Sequence, residues 1–549
     1  MKISWTLGLL LVLAFLLRVL WLDNFPPGFT PDEASFGYDA YSILKTGRDQ
    51  WGNPMPLVLK SFGDFKAPLY SYLAVPTVAV FGLTKFAVRL PNALLGTFAV
   101  LATYLLVKEM FKKARVGLLA GFLLVVSPWH TMLSRGAFEA NLTSFFMPLG
   151  LYFFLKGLKK NSYFVLSAVV FGLNLFTYHS AKLLTPFVVF ACLWFFRTEV
   201  KKVSKGHLVI FSSVLAIFLL LGFVTMFQGG GSRVSEVNIF NTALGPATQA
   251  RAALLSNGAP AWVARFVHNK YFVGVRMAAG NYFSYFSPQF LFSSGAAETT
   301  YGMFPGRGAL FWLELPLLLA FLVHFRKLFS VKAVKVLLVW LLVSPMPAAL
   351  TSGSGYAANR AAGMLPVIHI FSALGILFFA NRERVSKLVY KVVFVASFVF
   401  LYFFLEGYFL VAPRVIAQGM LYGNLEVAEW LSENIGKNEK VIVSRGLSEP
   451  QIYIAFAKKI DPELFQNASK RWDYKANGVN WVDQIPIYQL ANFTFKNIEL
   501  DLDINEAHYL VGKPSEFGDK LAKLISFSYP SGEEAVVIVR GKAEYYAAN

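Results

Sequence analysis

The sequence predicts a polytopic α-helical membrane protein of about eleven transmembrane helices with a C-terminal extracytoplasmic α/β domain. Three observations carry that expectation. Of 549 residues, 56% are hydrophobic and only 15% charged, against about 25% charged in soluble chains. Eleven apolar runs are long enough to cross about 30 Å of hydrocarbon. The Lys and Arg residues between those runs are shared out unevenly.

The runs cover residues 3–22, 90–109, 116–134, 142–158, 163–181, 183–196, 207–227, 308–325, 333–350, 361–380 and 388–411. The first lacks a small-residue cleavage site and is followed by Asp23, Pro26 and Pro27, so it reads as a retained span rather than a removed signal. Five alternate connections hold 19 Lys and Arg, whereas the intervening ones hold Arg135, Lys182 and Arg360 alone. The positive-inside rule puts the basic set in the cytoplasm. The net charge of +19 is then a topological label, and no nucleic acid partner is expected. Loops 23–89 and 228–307 and the tail beyond 412 fall outside, the N-terminus inside, in a multi-pass protein of the plasma or inner membrane. Ala67 to Leu83 is apolar enough for a twelfth span, but Pro68, Pro76 and its clustered tyrosines read as an interfacial or re-entrant helix. A crossing there would need a flipped N-terminus to keep the basic loops inside.

Beyond Val411 the composition changes, dividing the chain into a membrane domain, 1–411, and an α/β domain, 412–549. KVIVSR (440–445), FTFKNIEL (493–500), AHYLVG (507–512) and AVVIVR (535–540) read as strands. NLEVAEWLSENIG (424–436) reads as a helix with an Asn N-cap and a Gly stop. Cys192 is the only cysteine, which excludes an intrachain disulfide. In loop 228–307 the Gln228 to Arg233 glycine run lacks the Gly-Lys-[Ser/Thr] of a phosphate loop. Tyr282, Phe283, Tyr285 and Phe286 there suit either a membrane-interface belt or a sugar-stacking cleft.

No HExxH, CxxC, Walker A or GxSxG motif is present, which argues against ATP-driven transport and the common hydrolases. The candidate chemistry is acidic and lies on the outer side: Asp32 and Glu33 in GFTPDEASFGYDAY, Lys66 in FKAPL, and Arg135 with Glu139 in SRGAFEAN. Carboxylates at a membrane face are costly unless solvated, paired or functional. A carboxylate within reach of an acceptor hydroxyl, with cations nearby, can activate a nucleophile and hold a phosphate leaving group. Local readings compete at each position. Thr30 reads as an N-cap, Pro31 as the first helical residue, Glu33 as the partner in a capping box and Gly47 as the stop. That box explains Glu33, tolerates Gln there, and leaves Asp32 unexplained. Lys66 can snorkel, Arg135 and Glu139 can form an i,i+4 surface pair, and Arg360 can anchor a helix end or bind a lipid phosphate. His130, His179 and His268 are expected outside, without metal-ligand spacing.

The ordered series DEASFGYDAY, FKAPLYSYL, FGLTKFAVRLPNALLGTFAVLATYLLVKEMF and SRGAFEANLTSFF resembles the GT-C membrane glycosyltransferases, on the branch of protein O-mannosyltransferases and the lipid A aminoarabinose transferase. It covers about the first 200 residues; beyond them only topology and FSPQFLFSSG agree. The resemblance implies a GT-C fold and inverting transfer from a polyprenyl-phosphate sugar to a protein, lipid or glycan acceptor at the outer face. It makes Asp32 the catalytic base, with Glu33 its neighbour and Glu139 the second acid. It makes Lys66 and Arg89 donor-phosphate contacts; Arg135 and Arg360 are added to the donor-phosphate candidates as cations in outer turns, not by the resemblance. Ala67 stands where the family has proline, and Glu139 where Asp is commoner. A divalent cation is used by some relatives and is left open here. A lipid or polysaccharide transporter without covalent chemistry is the alternative, and predicts charges deep in the spans, which are nearly bare of them.

Overall fold

The computed structural model describes residues 5–225, 227, 238–352, 357–379, 383–518 and 521–543. The glycine run from Gln228 to Arg233 lies outside the described residues.

Helices lie on all eleven apolar runs, but several are shorter than the runs. Five segments are long and apolar enough to cross a membrane: Lys85–Phe111, Lys205–Thr225, Lys332–Ala349, Ala362–Phe379 and Arg384–Ile416. Trp5–Val19 (α1), Ala114–Val126 (α5), Tyr163–Asn174 and His179–Phe195 are apolar and shorter. Proline sets one such limit. The run 116–134 breaks where Ser127 precedes Pro128 and caps a second helix, Pro128–Leu133, by accepting a hydrogen bond from His130 N–H at 3.3 Å, because a residue before proline avoids the helical region. The last segment runs helically through Val411 to Ile416, so the boundary read at 411–412 falls within it.

Loop 23–89 is structured. It holds helix α2 (Pro31–Thr46), a hairpin of β1 (Leu59–Lys60) and β2 (Phe65–Lys66), and helix α3 (Leu69–Phe81), which leads into α4 (Lys85–Phe111). The tail forms one six-stranded mixed sheet. Its strands are β3 (Val441–Ser444), β4 (Ile487–Leu490), β5 (Phe493–Lys496), β6 (Tyr509–Gly512), β7 (Lys523–Ser528) and β8 (Glu534–Arg540), in the order β4-β5-β3-β6-β8-β7. The four segments read as strands fall on β3, β5, β6 and β8. The helix read at 424–436 spans Asn424–Asn434, but its N-cap is Gly423, whose N–H donates to Glu426. Asn424 is turned away, its side chain donating to the Leu447 carbonyl.

Loop and tail share one apolar core, in which Phe29, Phe36, Tyr38 and Tyr70 pack with Tyr453, Phe456, Phe465 and Trp472. Polar bonds stitch the seam: Tyr38 Oη donates to Ile460 O at 2.7 Å, Tyr453 Oη to Phe29 O at 2.8 Å, and Val482 N–H to Phe62 O at 2.7 Å. At Gly63 any Cβ would strike Asn480 O and the Trp481 ring, so glycine permits that approach. The tail therefore sits on the hairpin that carries Lys66.

Candidate active site

Helix α2 starts as its sequence predicts. Thr30 caps it, Pro31 is its first residue, the Thr30–Glu33 capping box is complete, and Gly47 ends it at φ +67° with its N–H donating to Ile43 O. Successive helix residues diverge by about 100°. Glu33 therefore points inward and is fully buried, while Asp32 points outward with its side chain 45% exposed.

Asp32 meets Lys66 across this surface. Lys66 Nζ lies 2.7 Å from Asp32 Oδ1, with the lysine side chain only 3% exposed. The distance is that of an ion pair, although the approach angle falls outside hydrogen-bond geometry. The ammonium also sits 4.9 Å from the Phe36 ring centre and 5.3 Å from that of Phe62, where aromatic faces favour a cation. Lys66 is thus held in a built pocket, not snorkelling to an interface. The hairpin positions it: Leu59 pairs with Lys66 and Lys60 with Phe65, and alternation in strands sends Lys66 and Phe65 to opposite faces.

Glu33 and Arg89, expected in the catalytic and phosphate-binding roles, are instead locked to each other. Arg89 Nε and Nη2 donate to the two Glu33 carboxylate oxygens at 2.8 and 3.0 Å. Arg89 also donates to Leu22 O, Pro26 O and Gly28 O. All five guanidinium N–H groups are engaged, and none remains for a phosphate. Glu33 in turn accepts from Thr30 N–H at 3.2 Å and Ala137 N–H at 2.9 Å, so its lone pairs point into the protein. In this structure the pair is a buried clamp, with neither group turned toward Asp32 and Lys66.

The clamp brings in the turn that carries Glu139. Ala137 is bound to Glu33, while Asn92 Nδ2 donates to Leu133 O and Gly136 O, both at 2.7 Å. Glu139 opens the short helix Glu139–Leu142, partly buried, within electrostatic reach of Tyr70. Arg135 takes another direction. Its Nη1 donates to Leu17 O at 2.7 Å and its Nη2 to Leu20 O at 2.6 Å, with Tyr408 and Phe409 against the guanidinium. It satisfies carbonyls at and just beyond the end of α1. Arg360 donates to Thr351 Oγ1 at 2.7 Å and Ser352 O at 3.1 Å, beside Glu298, whose carboxylate accepts from Asn359 N–H.

Two carboxyl groups that sequence reasoning did not single out lie near Lys66. Asp39 is buried seven residues after Asp32 on α2, accepting from Gln50 N–H at 3.0 Å; burial first, then the Asp49 charge, pushes its pKa well up. Its spacing, two turns from Asp32, was the available signal. Glu449 comes from the tail, buried, at φ +51°, and accepts from Gln451 Nε2 at 2.6 Å while Gln451 Oε1 accepts from Tyr488 Oη. Burial and then Asp483 push its pKa well up, with Lys66 acting against them. No local pattern in the tail marks it.

The histidines do not converge. His130 Nδ1 meets Arg18 at 2.8 Å and its Nε2 meets Ser144; His179 Nε2 meets Phe65 O; His268 follows the helix Ala261–Val267. Among the described residues no three His, Cys, Asp or Glu side chains are grouped to hold a metal. Glu33 is spent on Arg89, and Asp32 faces the Lys66 ammonium.

A family model described as dolichyl-phosphate-mannose-protein mannosyltransferase matches residues 65–223. That stretch includes Lys66, Arg89, Arg135 and Glu139, and begins after Asp32. No curated protein matches the chain. Among solved structures, ArnT from Cupriavidus metallidurans bound to undecaprenyl phosphate aligns with a TM-score of 0.51 at 13% identity, over 98% of each chain. The Archaeoglobus fulgidus oligosaccharyltransferase in complex with Zn and sulfate aligns with a TM-score of 0.50 at 15% identity, over 92% of this chain and 68% of that one. The chain has the fold of these GT-C glycosyltransferases, in line with the resemblance in its motifs.

Proposed function

We propose that this chain is an inverting glycosyltransferase that moves a sugar from a polyprenyl-phosphate donor to an acceptor at the outer membrane face, with Asp32 as general base. The observation that carries this reading is the Asp32–Lys66 pair, a half-exposed carboxylate against a buried ammonium. Family description and fold support the same chemistry, since the matched model concerns dolichyl-phosphate-mannose and the ArnT structure contains undecaprenyl phosphate.

In the proposed reaction the donor phosphate draws the Lys66 ammonium away from Asp32. The freed carboxylate accepts the proton of the acceptor hydroxyl or amine as its lone pair forms a bond to the anomeric carbon. The bond from that carbon to the phosphate oxygen breaks on the opposite face. The electron pair leaves with polyprenyl phosphate, whose charge Lys66 compensates. No step runs through a metal. Eleven spans with a cytoplasmic N-terminus put Asp32, Lys66 and the tail outside, the tail covering the hairpin and helping to select the acceptor. The acceptor is a protein, lipid or glycan.

Purified protein incubated with a panel of polyprenyl-phosphate sugars and acceptors tests the reading. Release of polyprenyl phosphate that needs both acceptor and Asp32 is the expected result. No transfer and no donor cleavage across the panel would overturn it.

A further inference from the structure

Two adjoining cavities open far from Asp32. The larger, 730 Å³, lies between α1, α5 and the helix Glu383–Glu406, and its walls include Leu9, Leu13, Leu118, Phe122, Phe394 and Phe398. The smaller, 350 Å³, shares Arg115, Lys387 and Tyr390 with it and adds Lys113 and Ser386. The larger is mostly apolar along its length, with Arg115, Lys387 and Lys391 in its lining, and the smaller adds Lys113 beside the shared Arg115 and Lys387.

The polarity runs along the helix axes. Arg115 and Lys387 lie near the starts of their helices and Thr6 near the start of α1, whereas Phe122 and Phe398 lie further along. From Lys387 to Phe398 the helix rises about 16 Å at about 1.5 Å per residue. That is close to one leaflet of a hydrocarbon core about 30 Å thick. The groove is also incompletely filled by protein: in the segment Arg384–Ile416 only 22% of the apolar window is buried, and Phe394 and Phe398 are 54% and 40% exposed, with Phe122 stacked on Phe394 at 5.3 Å. Among the described residues no Asp or Glu lines either cavity.

Direction separates these cavities from the proposed reaction. Helix α5 leads from Arg115 to Val126, about 16 Å, and the next helix continues to Leu133, just before the turn bound to Glu33. Arg115 is thus at the far end of the bundle from Asp32, on the side of the basic connections. A donor whose phosphate reaches Lys66 cannot place that phosphate at Arg115.

We infer that the paired cavities form a site for an anionic phospholipid of the cytoplasmic leaflet, with an acyl chain along Leu13, Phe122 and Phe398 and the headgroup phosphate at Arg115, Lys387 and Lys391. Basic pockets between membrane helices at that face suit anionic headgroups. The site is independent of the glycosyltransferase reading.

The test is native mass spectrometry of the full chain with phosphatidylglycerol, phosphatidylcholine or undecaprenyl phosphate added at equal concentration. Phosphatidylglycerol is expected to be retained about tenfold better than phosphatidylcholine. R115Q/K387Q/K391Q should lower phosphatidylglycerol retention about fivefold or more, to the phosphatidylcholine level. L118W, which fills the groove without touching a charge, should reduce both lipids. D32N should retain phosphatidylglycerol like the parent. Equal retention of the two phospholipids by the parent, or parental retention by both groove variants, would overturn the site. Displacement of phosphatidylglycerol by undecaprenyl phosphate at equal concentration would overturn the choice of occupant.

Discussion

The Asp32 carboxylate and the Lys66 ammonium meet at 2.7 Å from segments 34 residues apart, one half-exposed and the other buried. Beside this pair, and adjacent in sequence, Glu33 is bound to Arg89 with both groups fully buried. One acid faces the surface with a cation that a competing anion can draw off; the next is spent on architecture. The contrast follows from their positions on the first turn of α2, since a capping box turns its third residue back toward the chain entry and leaves the second free to project.

Asp32→Asn should leave a folded protein with transfer reduced by about 10²–10⁴, the usual contribution of a positioned general base. Its thermal midpoint should fall less than that of Glu33→Gln, because Asp32 is half-exposed and the buried Lys66 ammonium keeps the Phe36 and Phe62 rings when it loses its counterion. Transfer rate and thermal unfolding are read on the same preparation. Parental turnover by the variant would remove Asp32 from the chemistry.

Lys66→Met keeps the side-chain volume among Phe36 and Phe62 while removing the charge. Loss of a preorganised charge at the leaving group costs about 10²–10³ in turnover, and that drop is expected in kcat at saturating donor. A rate within about threefold of the parent would show that Lys66 only fills space.

Glu33→Gln separates capping from ion pairing. A capping box alone tolerates Gln, but here the change leaves Arg89 buried without its counterion. Removing one member of a buried pair costs about 3–5 kcal/mol, so the variant should unfold at markedly lower temperature. Glu33→Leu combined with Arg89→Met should recover part of that loss, since an apolar replacement of both partners is often near neutral. An unchanged unfolding midpoint in Glu33→Gln would show the clamp to be unimportant.

The cap, proline and glycine that begin and end α2 were legible because they act within one helical turn. The strands β3, β5, β6 and β8 were legible by their β-branched and aromatic runs. Arg89 was not: its Arg-Leu-Pro context marks a position without saying what the guanidinium faces, and its five acceptors come from Leu22, Pro26, Gly28 and Glu33, more than 50 residues away. The partners of Arg135 were illegible for the same reason, since open carbonyls near the end of α1 carry no sequence signal. Glu449 is further removed still; it enters the neighbourhood of Lys66 only because the tail docks on the hairpin. Local chemistry is written in spacing, whereas the partner of a long side chain is settled by tertiary packing.

Arg135→Ala tests what these contacts do. Removing the guanidinium leaves the Leu17 and Leu20 carbonyls without their donor, and unmade buried hydrogen bonds cost about 1–3 kcal/mol each. The expected result is a lower unfolding temperature with an unchanged KM for the donor in the surviving folded fraction. A KM raised about tenfold with parental stability would return Arg135 to the phosphate.

Glu298 gives a pH dependence of known sign. Its carboxyl is pushed up to about 7, chiefly by burial, against the pull of the Asn359 N–H and of Arg360. The unfolded chain ionises this group near about 4.3, so between these values the folded protein holds a proton that the unfolded chain has released. Stability then falls as pH rises through that window, by up to about 1.4 kcal/mol per unit, and levels off above pH 7. Any contribution is fully present below the unfolded value and lost as pH passes the folded one. Glu298→Gln keeps an acceptor for Asn359 N–H but cannot ionise, so thermal midpoints between pH 5 and 7 should decline less steeply than in the parent. Asp39 and Glu449, also pushed up, slope both proteins in the same direction, so the difference between the two curves isolates Glu298. Parallel curves across the window would show that Glu298 does not retain its proton on folding.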